Sequence, residues 1–549
     1  VNRPSTRHRS IRAVIAILIA LGCTFSTPGT AAAATYAQIE GTGSTWSDLI
    51  VQQWIADVNS NGMQVVYTGG GSSKGRKDFS LKSTDFAISE IPYQGKDEQG
   101  NADTSAGREY AYLPIVAGGT AFTYQLNIGN QKVRNLRLSG ETLTKIFTNE
   151  ITSWDDPAIT KDNNGRSFPK LPITPVVRSD GSGTTAQFTT WMDKAHPGPW
   201  RKFFGKSGLT SYFPRKGRAV SQAGSDQVMN YIASSAGNGT IGYVEYAYPL
   251  DKDYPVVKVE NAAGYFVEPT EYNTAVALTK AKINQDKSSP LYLTQILDGV
   301  YTNKDPRAYP ISSYSYMIIP TGKTDTRMTT AKRQTIADFM FYSLCAGQSK
   351  AGPYGYSPLP LNLVQAGFQQ LAKLKTADPK VEVTNRDVKS CNNPTFDGKN
   401  LNKNLLAEKA PQPEACDKTG AGPCGTETGQ GGAKPADTPS QAPAAGGGGA
   451  QTPAAGGGAT AAPGDAPTDA AVPGTDPAAG DPGVVTDDGS GTTTDTAVFA
   501  SATELEASRP ADNAPFGWLA VGLLVALVVL PGVYAASLRR RPGTTGARR

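Results

Sequence analysis

Apolar positions along the first half of the chain alternate between the spacing of a helix and that of a strand. Trp46, Leu49, Ile50, Ile55 and Val58 form an approximate helical stripe. A short strand is predicted at residues 64–67, then a helix beginning within residues 74–79. A buried strand is predicted at residues 86–89, ending at Glu90. A β-rich run over residues 171–177 leads into another helix, with Phe188, Trp191 and Met192 at i, i+3 and i+4. Much later the pattern disappears. Residues 420–515 are dominated by Gly, Ala, Pro, Thr and Asp, and residues 516–538 are apolar without a charge.

Three of the predicted helices begin at a Gly/Ser/Thr turn. The turns are Gly41-Thr42-Gly43-Ser44-Thr45, Gly69-Gly70-Gly71-Ser72-Ser73 and Gly181-Ser182-Gly183-Thr184-Thr185. The first N–H groups of a helix have no partner inside it, and the helix dipole adds positive potential there. Such a turn suits an anion. Ser44 or Thr45 is expected to cap its helix by accepting one of those N–H groups. Arg178 stands at the end of the β-rich run, and its guanidinium fork matches phosphate or carboxylate oxygens. One such turn is ordinary punctuation. Three point to convergence on one small anion; the alternative is three unrelated helix caps with Arg178 in a surface ion pair.

Composition narrows the chemistry. The chain has 549 residues, a formal net charge of +5 and two histidines, His8 and His196. With the N-terminal segment removed, His196 stands alone, which argues against a His-ligated metal and weakens any Ser–His–Asp arrangement. His196 itself reads as a loop residue in Ala195-His196-Pro197. No aromatic-interleaved basic patch suggests nucleic acid. Arg3, Arg7, Arg9 and Arg12, an apolar run over 13–21 and the small residues Ala31 to Ala34 make residues 1–34 a secretory signal peptide. Gly22-Cys23 makes a poor lipidation box. Beyond the signal four cysteines remain, Cys345, Cys391, Cys416 and Cys424, an even number in an exported chain. Three pairings exist. Nearest-neighbour pairing is the expectation, Cys345–Cys391 tethering the 377–400 extension to the last helix of the body. Residues 420–515 cannot bury a core and read as a disordered stalk with an r.m.s. span of roughly 50–60 Å. Residues 516–538 are long enough to span a bilayer, and Arg539-Arg540-Arg541 follow, which puts residues 539–549 in the cytoplasm and the body outside.

Several motifs together carry a family resemblance. They are G-T-G-S-T-W at 41–46, G-S-S-K-G at 71–75, D-F-A-I-S-E-I-P at 85–92 and V-V-R-S-D-G-S-G-T-T at 176–185. To these add T-L-T-K-I-F-T-N-E-I-T-S-W at 142–154 and G-T-I-G-Y-V-E-Y at 239–246. In that order, over residues 35–374, the chain resembles the PstS-type phosphate-binding proteins of bacterial high-affinity phosphate ABC transporters. The resemblance implies an α/β, two-lobed periplasmic binding protein fold of the type II kind, each lobe holding a mixed sheet, with the ligand in the interlobe cleft. Residues 35–115 and 312–374 would form lobe 1 and residues 116–311 lobe 2, with hinge crossings near 115 and 315. Residues 375–419 would be a Cys-containing extension.

The resemblance also implies the ligand set. Thr45, the backbone N–H of Trp46, Ser72, Arg178, Ser182, Gly183 and Thr184 would bind phosphate, and Asp180 would hold Arg178. Glu90 stands where the family has an Asp acceptor. A buried carboxylate accepts the proton that hydrogen phosphate carries, and sulfate has none to give. Trp46 in place of Phe, and Ser47-Asp48 where the family often has Pro, are further departures. The implied function is phosphate capture and delivery to an ABC permease in the membrane, with no cofactor, no metal and no catalysis. Two rivals stand beside it. One is a surface phosphohydrolase using Ser182 or Thr184. The other is the same fold serving a different oxyanion, or acting as a sensor or adhesin.

Overall fold

The computed structural model describes residues 36–98, 100–383, 387–422 and 424. The signal peptide, nearly all of the stalk, the apolar span at 516–538 and the basic tail lie outside the described residues. Among those described, no helix is long and apolar enough to cross a membrane.

The first elements are strand β1 (Ile39–Gly43), helix α1 (Asp48–Asn59), β2 (Val65–Gly69), α2 (Ser72–Ser80) and β3 (Phe86–Ser89). Strand β4 (Tyr110–Gln125) follows, then β5 (Thr174–Arg178), α3 (Gly183–Ala195), β6 (Val220–Gln222), α4 (Gly224–Ala233) and β7 (Thr240–Glu245). The chain returns through β8 (Ser312–Pro320), α5 (Thr330–Leu344) and α6 (Leu361–Ala377). These strands form one eight-stranded sheet, in the order β6-β5-β7-β4-β8-β3-β1-β2.

The two-lobed α/β fold is built on this sheet, and one feature differs from the expected pair of separate sheets. Strand β4 runs for 16 residues, about 50 Å at strand rise, and serves both halves. Its first part, Tyr110 to Gly119, pairs antiparallel with β8. Its last part, Thr120 to Gln125, pairs antiparallel with β7. The first lobe thus gathers β1, β2, β3 and β8, and the second gathers β5, β6 and β7. All but the first residue of β4 are buried, and β3 and β8 are buried throughout. Central strands covered on both faces read as apolar runs without alternation. The flanking pairs are parallel, β1 with β2 and β3, and β5 with β6 and β7. Parallel strands joined through helices place the helix starts beyond the carboxyl ends of the strands, where ligands of such sheets bind.

An aromatic cluster fills the second lobe. Phe188 of α3 packs on Phe122 of β4, Phe147, Phe213 and Tyr243 of β7, with ring centroids 4.9, 5.1, 6.3 and 5.1 Å away. Edge-on, tilted and stacked ring pairs of this kind add to simple area burial. Phe188 and Trp191 therefore point α3 inward, as their spacing predicts, and the start of α3 is carried to the interlobe face.

The described cysteines form Cys345–Cys391 and Cys416–Cys424. Cys345 follows α5 directly, so the first bond ties the extension to α5 rather than to α6, the last helix of the body.

Candidate functional site

The loop from β1 to α1 carries no side-chain cap of the expected kind. The residue preceding α1 is Ser47, without a cap hydrogen bond. Ser44 Oγ accepts from Trp46 N–H at 3.0 Å and Ser47 N–H at 3.4 Å, so it folds the loop itself. Three tyrosine hydroxyls then hold the loop carbonyls. Tyr67 donates to Ser44 O at 2.7 Å, Tyr248 to Thr45 O, and Tyr356 to Trp46 O at 2.7 Å. The Trp46 indole is buried, edge-on to Tyr356. Thr45 Oγ1 accepts from Ser225 N–H at 3.1 Å, and Ser225 lies in α4 of the other lobe.

The second turn meets the third directly. Gly71 has φ +89°, and a Cβ there would stand 2.4 Å from Asp180 Oδ2, so both backbone conformation and space require glycine. Ser73 N–H donates to Gly181 O at 3.0 Å, one lobe to the other. Ser72 Oγ donates to Glu90 Oε2 at 2.6 Å. Ser182 caps α3 by accepting Thr185 N–H at 3.1 Å. A Cβ on Gly183 would fall 2.1 Å from Glu90 Oε2, so the Glu90 carboxylate lies against the start of α3. The Thr184 hydroxyl is buried and has no hydrogen-bond partner among the described residues.

Arg178 is 2% exposed. Its Nε donates to Asp180 Oδ1 at 2.7 Å and its Nη2 to Asp180 Oδ2; Nη1 donates to Ser225 Oγ at 3.3 Å. Burial opposes the guanidinium charge, but Asp180 outweighs it through charge and hydrogen bonds, and the pKa is raised. Asp180 also accepts Gly224 N–H at 3.0 Å. The Tyr243 hydroxyl accepts Arg178 N–H at 3.3 Å and lies 2.8 Å from Thr185 Oγ1, which links the aromatic core to the site. Burial keeps that phenol protonated.

Glu90 is 1% exposed, not a surface strand-end residue. Its carbonyl accepts from Gln187 Nε2 at 2.8 Å and Gln295 Nε2 at 3.2 Å. Of the predicted site residues, Arg178, Asp180 and Glu90 carry charge, two acids to one base. An anion here has to be held by neutral dipoles, the N–H groups of helix starts and hydroxyls, as much as by charge.

The structure brings together Thr45, Trp46, Ser72, Glu90, Arg178, Asp180, Ser182, Gly183 and Thr184. It also brings in a fourth helix start, α4, which sequence reasoning missed. The available signal was Gly224-Ser225 after a strand of three residues, too short to stand out. His196 joins α3 to the next helix, Pro197–Phe204. It sits at the far end of α3, about 18 Å from Thr184 and about 21 Å from Ser182 at helical rise, beyond reach as their base. Among the described residues no group of His, Cys, Asp or Glu could hold a metal ion.

A family model described as a PBP superfamily domain matches residues 28–346. The phosphate-binding protein PstS of Xylella fastidiosa is 30% identical over 342 residues, 62% of this chain and 86% of that protein. The chain belongs to the PstS family of the PBP superfamily. The PstS of Methanocaldococcus jannaschii is 31% identical over 349 residues, 61% of this chain and 86% of that protein. The PstS family consists of substrate-binding proteins and not of enzymes. Among solved structures, a periplasmic phosphate-binding protein crystallised with phosphate is 20% identical, with a TM-score of 0.47, covering 60% of this chain and 92% of that one.

Proposed function

We propose that the chain is an extracellular receptor for inorganic phosphate that delivers its ligand to an ABC permease. The observation that carries this reading is the meeting of three groups at the capped start of α3. They are the buried cation Arg178, the buried acceptor Glu90 and the buried Thr184 hydroxyl, which has no hydrogen-bond partner of its own among the described residues. A tetrahedral oxyanion with one proton satisfies all three. Its oxygens accept from Arg178, Thr184, Thr45 and the N–H groups of Ser72 and Gly183, and its proton goes to Glu90; the Ser72 hydroxyl and the N–H groups of Trp46 and Ser182 are engaged by Glu90, Ser44 and Ser211. Asp180 holds the guanidinium from behind. Closure of the lobes through the Ser73–Gly181 contact would take the anion out of water.

The test is calorimetry of the protein against phosphate, arsenate and sulfate. Phosphate and arsenate, which keep a proton near neutral pH, should bind, and sulfate should bind far more weakly. Failure to bind phosphate would end this reading. Delivery to a permease rests on family membership, and neighbouring genes for a permease and an ATPase would distinguish it from a sensor or adhesin role. The Gly/Ala/Pro-rich stalk and the apolar segment 516–538 with its arginine flank support a single-pass anchor with the body outside. A chain truncated after Ser508 should then appear in the medium; retention with membranes would mean either that Cys23 is lipidated or that the span is not the anchor.

A further inference from the structure

Glu90 is the place where this chain departs from the acid its relatives' motif carries, and its side chain is gripped at both oxygens. Ser72 Oγ donates to Oε2 at 2.6 Å and Ser315 Oγ donates to Oε1 at 3.0 Å. Ser315 lies on β8, and the antiparallel register explains its position. Tyr316 pairs with Ser89 and Met317 with Ile88, so Ser315 falls opposite the residue after Ser89, which is Glu90. Directly opposite residues of an antiparallel pair have side chains within reach of each other. The register of β8 against β4 also shifts between Ser315 and Tyr316, leaving Ile115 as an extra residue beside this point. Such bulges bend a strand and re-aim a side chain.

Ser315 Oγ also lies 3.3 Å from Ser47 Oγ. Ser315, Ser47 and Glu90 are at most 1% exposed. A serine hydroxyl has one proton, and an ionised carboxylate can only accept. The Ser315 proton therefore goes to Glu90 at 3.0 Å rather than to the more distant Ser47 Oγ.

We propose that Ser315 is the positioning residue that fits the longer acid Glu90 to its role as the anion's acceptor and thereby sets selectivity for a protonated oxyanion. This rests on the phosphate reading of the cleft. Glu carries one more methylene than Asp and one more rotatable bond. Without a donor at Oε1 the carboxylate could swing off the line to the ligand's proton. A shorter acid draws back by about 1.5 Å and loses the Ser315 contact, so that contact matters only for glutamate.

The experiment is competitive calorimetry with phosphate and sulfate on the wild type, Ser315→Ala, Ser315→Thr, Ser47→Ala, Glu90→Asp and the double variant Ser315→Ala/Glu90→Asp. Melting temperatures are measured for each. Ser315→Ala should weaken phosphate binding about tenfold, the scale of a hydrogen bond to a charged group, and should narrow the phosphate-to-sulfate ratio. Ser315→Thr, which keeps the hydroxyl, should restore both. Ser47→Ala, which leaves the Ser315 bond to Glu90 in place, should change both less than twofold. In the Glu90→Asp background, Ser315→Ala should change phosphate affinity less than twofold. Equal losses in the Glu90 and Glu90→Asp backgrounds would overturn the proposal, as would an unchanged anion ratio in Ser315→Ala. A wild type that binds no phosphate would overturn the functional reading itself, an outcome distinct from these.

Discussion

Arg178 is 2% exposed, and its fork rests on Asp180. Removing the guanidinium takes a cation from the anion and leaves Asp180 facing the site unpaired. Losing one partner of a buried, hydrogen-bonded pair costs about 2–5 kcal/mol. Arg178→Ala should weaken phosphate binding by well over tenfold, read by calorimetry on a variant that still melts cooperatively. An unchanged dissociation constant would remove Arg178 from the site. Glu90→Gln keeps the length and supplies an amide that can donate. A carboxylate opposite sulfate meets lone pairs only, in a place too dry to screen them. The substitution should therefore cost some phosphate affinity, raise sulfate affinity and narrow the ratio, measured with both anions at one pH and ionic strength. An unaltered ratio would mean that Glu90 does not select the anion. Thr45, Ser72, Ser182 and Thr184 were legible in the sequence because Gly/Ser/Thr turns are local chemistry. Ser225 and Ser315 were not, since a lone serine carries no signal until a neighbour from another part of the chain stands beside it.

At the scale of elements, His196 stands outside both helices in the joint between them, in keeping with its reading as a loop residue, and is half-buried there. It ends α3 and begins the helix Pro197–Phe204, its ring 4.8 Å from that of Trp191. Burial, partly offset by the charge of Glu141, pushes its pKa down to about 4. In the unfolded chain the imidazole titrates near 6.5. Above that pH it is neutral in both states and its contribution is intact. As pH falls the unfolded state takes up a proton first, and stability is lost between about 6.5 and 4. The drop from pH 7 to pH 5 should be at most about 2 kcal/mol from this residue. Urea unfolding at both pH values checks it, and His196→Gln should flatten that part of the profile. If the variant and wild type lose the same amount, the imidazole is not the source. Strand β4 was the surprise of this scale. Its continuity across two lobes is a matter of pairing partners, and the apolar run alone does not tell where one partner is exchanged for another.

At the scale of the whole molecule, the extension beyond α6 forms a third connection across the lobes. It is tied to the first lobe by Cys345–Cys391, and Asn393 Nδ2 donates to Leu359 O at 3.0 Å. It then crosses to the second lobe's side. Arg307 Nη1 donates to Ala407 O at 3.1 Å and Ala410 O at 3.2 Å. Asp417 pairs with Lys258 at 2.7 Å, and Arg137 Nη2 donates to Lys418 O at 3.1 Å. The neighbouring Val257 N–H bonds to Phe122 O, in the second part of β4. The strap joins what β4 and β8 also join. Cys391→Ser should cost about 2–5 kcal/mol of stability by freeing a long loop in the unfolded chain. Its phosphate affinity should stay near that of the wild type, because neither cysteine reaches the cleft. Thermal unfolding and calorimetry of the variant test the two halves of that expectation, and an unshifted melting temperature would show that the tether carries no load.

The amino-acid sequence by itself determined the elements, the three anion-ready turns, the partnership of Arg178 with Asp180 and the class of ligand. Each of these is written in a contiguous stretch: hydrophobic period, turn chemistry and motif order are properties of neighbours along the chain. Only the tertiary structure decided that one sheet runs through both lobes, that α4 brings a fourth helix start beside Thr45 and Asp180, and that the extension bridges the lobes. It alone placed the Ser47 and Ser315 hydroxyls behind Glu90. Those facts depend on strand register and on groups separated by up to some 270 positions, as Ser47 and Ser315 are. Burial makes such contacts matter, since a polar group taken out of water must find its partner wherever in the chain that partner lies.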